Sequence, residues 1–111
     1  MPRSARIVVP GLPHHITQRG NRKQAVFFRE EDREVYLSLL ADKSTHLAMS
    51  LPGYCLMTTH VHLLGIPPSE TALARVIGST HLRYTLLLNA REGWQGHLWQ
   101  NRFFSAPLDA I

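Results

Sequence analysis

Seven residues, His60-Val61-His62-Leu63-Leu64-Gly65-Ile66, run directly into Pro67-Pro68. A strand points successive side chains to opposite faces, so His60 and His62 share one face and Val61 and Leu63 the other. Proline cannot donate to a strand ladder, and the pair closes the segment. Such a strand needs an apolar layer over Val61 and Leu63, and it leaves the two imidazoles on the uncovered side.

The rest of the chain offers that layer. Residues 12–20, bounded by Gly11-Leu12-Pro13 and Gly20-Asn21, read as a first strand. Residues 30–47 read as a helix with an acidic first turn and an apolar stripe of Tyr36, Leu39, Leu40 and Leu47. Residues 49–57 form a second strand, joined to the third through Thr58-Thr59, although neither residue favours the positive φ of the tightest hairpin turns. Ser69 caps a second helix with Glu70 in its first turn, Gly93 ends it, and Leu73, Val76, Ile77, Thr80, Tyr84, Leu87 and Leu88 line its buried side. Residues 98–108 supply a fourth strand, broken by Pro107. The order βαββαβ predicts a ferredoxin-like α+β fold, an antiparallel sheet with both helices on one face. The first and third strands are then central. With Ile16 inward, His15, Thr17 and Arg19 join His60 and His62 on the open side.

At 111 residues, 44% hydrophobic and 18% charged, the chain is expected to be one globular domain over residues 1–111. Cys55, the only cysteine, excludes an internal disulfide and reads as a small buried hydrophobe in an apolar run. No apolar stretch is long enough to cross a bilayer, and residues 1–10 form no signal peptide, so the cytoplasm is the expected compartment. Residues 1–29 carry Arg3, Arg6, Arg19, Arg22, Lys23 and Arg29 and no acid, whereas four of the eight acids fall within residues 30–34. Such a basic arm suits a polyanion, and equally a solvated surface.

Two neutral imidazoles side by side can hold one divalent ion. Seven histidines scattered over the chain would give about 0.4 His-x-His pairs by chance. Taken alone, the pair is therefore read first as two histidines on a half-exposed strand. Arg19, Arg22 and Lys23 follow the first strand and can hold phosphates, as can Arg102. Trp99, Phe103 and Phe104 read first as core, and Trp94, in a loop, as the better stacking residue.

Four segments carry a resemblance. They are Pro13-His14-His15-Ile16-Thr17-Gln18-Arg19-Gly20-Asn21; the helix with Asp32-Arg33, Leu37 and Leu40; Tyr54-Cys55-Leu56-Met57 with His60-Val61-His62-Leu63-Leu64; and Gly96-His97-Leu98-Trp99-Gln100-Asn101-Arg102-Phe103-Phe104-Ser105. Together they resemble the single-tyrosine HUH transposases, in particular the REP-associated tyrosine transposase branch. The resemblance implies a transposase or nickase domain acting on single-stranded or hairpin DNA, monomeric or homodimeric. It implies His60 and His62 as ligands of Mg²⁺ or Mn²⁺, and a tyrosine hydroxyl that attacks phosphorus to leave a 5′-phosphotyrosine. It implies DNA contacts from His15, Arg19, Arg22, Lys23 and Arg102. In that branch the tyrosine lies on a further helix, in a Tyr-x-x-x-Asn pattern whose Asn completes the metal site. No such pattern follows Trp99 here, and Thr59 stands where the family usually has Asn. The expectation is a core without its nucleophile helix, inactive alone. Tyr84, with Asn89 five residues on, is the remaining candidate nucleophile, but its phase with Leu73, Ile77 and Leu88 reads first as core.

Two other readings stand beside this one. A non-catalytic remnant could bind DNA or RNA hairpins; an RNA-recognition module would place aromatics on its first and third strands, and neither strand has one. An unrelated structural domain would require the four-segment match to be accidental.

Overall fold

A computed structural model describes residues 6–108. Its elements run β1 (His14–Arg19), α1 (Glu30–His46), β2 (Ser50–Leu56), β3 (His60–Ile66), α2 (Ala72–Glu92) and β4 (Phe104–Pro107). The strands form one antiparallel sheet in the order β2-β3-β1-β4, so β1 and β3 are central, as the ferredoxin-like order predicts. Val61, Leu63 and Ile16 are buried against the helices.

The helix ends follow from local chemistry. Asp32 folds back to accept the Phe28 and Arg29 amides, each at 2.9 Å, so two donors at the helix entrance are satisfied by one buried carboxylate. Arg91 near the end of α2 grips the same carboxylate with both terminal guanidinium nitrogens, which ties the two helices together. α2 starts at Ala72, later than expected, so Glu70 lies ahead of it and Thr71, not Ser69, is the cap residue; Ser69 Oγ accepts the Ala72 amide at 3.2 Å from two positions before the cap. Gly93 closes α2 in the left-handed conformation at φ 71°.

Between sheet and helices sits an aromatic core. Phe27 and Tyr84 meet the Tyr36 ring edge-on, and the Tyr36 hydroxyl donates to His81 Nε2 at 2.7 Å. Burial pushes the His81 imidazolium down to about 3, so this ring is a neutral acceptor at ordinary pH. Leu87, expected on the buried side of α2, is half exposed with Leu82 and Leu86, because the helix turns a narrower stripe to the core. Cys55, expected to be buried, is exposed.

The fourth strand departs most from expectation. Residues 98–100 do run beside the end of β1, where Asn21 donates to Leu98 and Gln100 to Arg19. Asn101 then takes φ 31°, which no ladder residue can hold, and pairing resumes only at Phe104. The Thr58-Thr59 turn closes without a positive φ at either residue. Its carbonyls are used instead: Thr58 accepts from Val26 and Thr59 from Gly20, each at 2.8 Å. Gly20 is required there, since a Cβ would lie 2.2 Å from the Gln24 carbonyl oxygen.

Burial raises the Asp32 carboxyl, but hydrogen bonds from Arg91 and from the Phe28 and Arg29 amides outweigh it and leave the pKa below the usual carboxylate value. Its charged form therefore stabilises the fold above about pH 4, and that contribution is lost as pH falls through the folded value. Thermal unfolding scans across pH 2–7 should show an acid-side loss that is shallower in Asp32→Asn. Asp32→Ala should cost about 3 kcal/mol in urea unfolding at pH 7.

Candidate functional site

The register of the sheet sets the open face. Thr17 pairs with His62 and with Phe104, and His62 with Cys55, so Cys55, His62, Thr17 and Phe104 form one row across the strands. His15, Leu64, Gly53 and Ala106 form the next, and Arg19 lies opposite His60. The side-chain period of two thus brings His15, Thr17, Arg19, His60 and His62 onto the side away from the helices.

The histidines form a connected group. The His15 and His62 rings are nearly parallel, 4° apart with centroids at 5.2 Å, and meet edge to edge, with His15 Nε2 3.0 Å from His62 Nδ1. Thr17 Oγ1 stands beside both nitrogens, at 3.3 and 3.4 Å. The His60 ring meets His62 edge-on at 4.9 Å, and its Nδ1 lies 3.1 Å from Thr59 Oγ1. Burial, then repulsion from His60, His15 and Arg19, holds His62 below the ordinary imidazole value. That keeps its nitrogen lone pair available at neutral pH. Among the described residues no group of three or more His, Cys, Asp or Glu is arranged to hold a metal ion. The donor set is two adjacent imidazoles, His60 and His62, on an uncovered surface. It fits an open coordination site, not a closed cage.

Around this group lie the basic residues. Arg19 is exposed at the end of β1. Arg22 and Lys23 follow Gly20 in a 3₁₀ turn, Asn21–Lys23, both exposed and both left-handed, at φ 55° and 62°. Two non-glycine residues in that region are strained, and the surrounding hydrogen bonds to Gly20, Asn21 and Gln24 hold them. Arg102 lies elsewhere, in a groove against α2 with Arg6 and Phe103. Tyr84 is buried on the helix side, its hydroxyl donating to the Val26 carbonyl at 2.6 Å, and burial and the Asp32 charge raise its pKa. Tyr36 is buried beside it, and Tyr54 stands opposite Leu63 on the helix side of the edge strand.

Several residues on or near this face escaped sequence reasoning. Cys55 sits across from His62, and only the register of β2 against β3 reveals it. Phe104, read first as core, is 62% exposed in the row of Thr17 and His62, whereas Phe103 packs under Arg6 at 3.7 Å and Trp99 is buried as expected. Trp94 is half exposed, edge-on to Phe28 at 5.0 Å. Asn21, His97, Gln100 and Asn101 line a recess of about 380 Å³ beside the basic turn.

Residues 8–110 match the profile of the family described as "Transposase IS200 like". The chain belongs to the IS200-like transposase family. Solved structures share the transposase fold seen here. A REP-associated tyrosine transposase bound to a REP hairpin superposes with a TM-score of 0.69 at 12% identity, over 100% of this chain and 64% of that one. A candidate transposase from Deinococcus radiodurans R1 superposes with a TM-score of 0.68 at 20% identity, over 97% of this chain and 87% of that one. The chain thus spans less than two thirds of the REP-associated protein. No curated protein matches the sequence. No helix among the described residues is long and apolar enough to cross a membrane.

In side-chain NMR titrations, His62 should charge only below about pH 6.5. Removing one repelling neighbour in His60→Ala should move that transition upward, toward the ordinary value.

Proposed function

We propose that this chain is the DNA-engaging core of a transposase and holds single-stranded or hairpin DNA on the open face of its sheet. His60 and His62 would hold a Mg²⁺ or Mn²⁺ ion there. The observation that carries the reading is the pair of adjacent imidazoles on the one sheet face that no helix covers, with Arg19 opposite His60. A bound ion would supply Lewis-acid polarisation of a phosphodiester oxygen. Of the two ions, Mn²⁺ is the better match to nitrogen donors. Arg19, Arg22 and Lys23 would hold phosphates of the strand, and Phe104 offers an exposed ring for base stacking beside them. The fold relative bound to a REP hairpin supports the choice of ligand.

A phosphotyrosine mechanism needs a tyrosine hydroxyl at this face. Of the three tyrosines of the chain, Tyr36 and Tyr84 are spent in the core and Tyr54 lies on the helix side. We therefore propose that the chain alone binds without cutting, through HUH-type histidines that await a nucleophile from outside these residues. The same observation favours the second reading, a non-catalytic module for DNA or RNA hairpins.

Fluorescence anisotropy with a labelled DNA hairpin, followed against salt, tests the binding. Arg19→Ala and Lys23→Ala should each flatten the logarithmic salt dependence by about 0.7 if the contact is to a single strand. Calorimetry should show Mn²⁺ binding that His60→Ala abolishes; equal binding by that variant sinks the metal site. Incubation with DNA and Mn²⁺ should leave no covalent adduct on a denaturing gel. An adduct lost in Tyr84→Phe would overturn the binding-only reading.

A further inference from the structure

We infer that His15 and Thr59 are positioning residues that lock His62 and His60 in the one tautomer able to offer Nε2 to a cation. The inference rests on the metal-binding reading above and goes beyond it, to what prepares the two rings.

A neutral imidazole carries one proton, on Nδ1 or on Nε2, and only the other nitrogen has a lone pair to donate. Which nitrogen meets a metal is set by the hydrogen bond the other one makes. Here both rings have Nδ1 engaged: His62 Nδ1 faces His15 Nε2 at 3.0 Å, and His60 Nδ1 faces Thr59 Oγ1 at 3.1 Å. No hydrogen bond engages Nε2 of either ring among the described residues. Each contact can be made with either proton placement, and the placement on Nδ1 is the one that leaves Nε2 of both rings able to bind a cation. His62 Nδ1–H donates to His15 Nε2, so His15 carries its own proton on Nδ1, and His60 Nδ1–H donates to the Thr59 hydroxyl. Thr17 Oγ1, at 3.3 and 3.4 Å, is the longer and secondary partner. The opposite assignment would put a proton on each Nε2 and remove both lone pairs from the open side.

The geometry also explains two residues that the rest of the fold does not need. His15 faces away from the core, yet its ring lies almost parallel to His62, which fixes the direction of its Nε2. Thr59 stands in a turn whose backbone contact to Gly20 is made by its carbonyl, so its hydroxyl is free to serve His60. Both devices are set by folding, before any ion arrives.

Two measurements test this. Long-range ¹⁵N–¹H correlation spectra of the metal-free protein near pH 7.5 should show His60 and His62 as Nδ1–H tautomers. Mn²⁺ affinity, read by electron paramagnetic resonance, should fall about 10-fold or more in His15→Phe, which keeps an aromatic ring and removes the acceptor. His15→Gln, whose amide oxygen can accept the same hydrogen bond, should stay within a few-fold of wild type. Thr59→Val should weaken Mn²⁺ similarly and Thr59→Ser should not. In His15→Phe the His62 tautomer should become mixed while that of His60 is unchanged, which a merely structural role would not produce. An Nε2–H tautomer for His62 in the wild type, or wild-type Mn²⁺ affinity in His15→Phe, overturns the inference. If the wild type binds no Mn²⁺, the metal reading falls, and the tautomer spectra alone decide whether His15 and Thr59 set the rings.

Discussion

The difference between the two faces of one strand organises this molecule. Along β3, Val61 and Leu63 disappear under the helices while His60 and His62 stay at the surface between them. A slip of one residue against β1 would bury two imidazoles and expose two aliphatic side chains, so the dry face enforces the register. That register in turn decides which residues from other strands stand beside the histidines. The core thus specifies the site indirectly: Ile16, Val61 and Leu63 fix where His15, Thr17 and Arg19 must be.

A second layer of control comes from the helices. The Asp32 carboxylate binds two amides at the entrance to α1 and the Arg91 guanidinium of α2, so one buried charge fastens both helices over the apolar face. Ion pairs elsewhere, such as Arg83 with Asp42, are exposed and contribute little. The aromatic group of Phe27, Tyr36 and Tyr84 fills the space between, with hydroxyls that find His81 and the Val26 carbonyl. Tyr84 thereby holds the segment leading from the basic turn into α1. Tyr84 is buried away from the open face.

What the sequence revealed followed the strength of its periodic signal. β3 was legible to the residue because alternation and Pro67-Pro68 act together; the helices were legible as elements, α1 from its acidic first turn and stripe and α2 from its stripe and Gly93, although α2 begins later than Ser69 suggested. The open-side placement of His15 and Arg19 followed from the same period. Contacts that cross strands were not legible. That Cys55 stands opposite His62, or that His15 reaches His62 Nδ1, depends on pairings between segments some 7 to 47 positions apart. The fourth strand was placed in the right stretch but drawn too long, because Asn101 turns against the ladder; asparagine tolerates the left-handed region, but its identity alone does not say where it adopts it. Leu87 was misplaced since a leucine-rich helix, Thr85 to Leu88 included, has more apolar positions than its neighbours can cover.

The turn after Gly20 carries a consequence for recognition. Its backbone is fastened on two sides, by the Thr59 carbonyl at Gly20 and the Leu98 carbonyl at Asn21, and Arg22 and Lys23 sit in conformations that a loose chain would abandon. The backbone entropy of placing these two residues is therefore surrendered while the polypeptide folds, and only the freedom of their exposed side chains remains. Two positive groups thus project from a fixed stretch of chain instead of a wandering one.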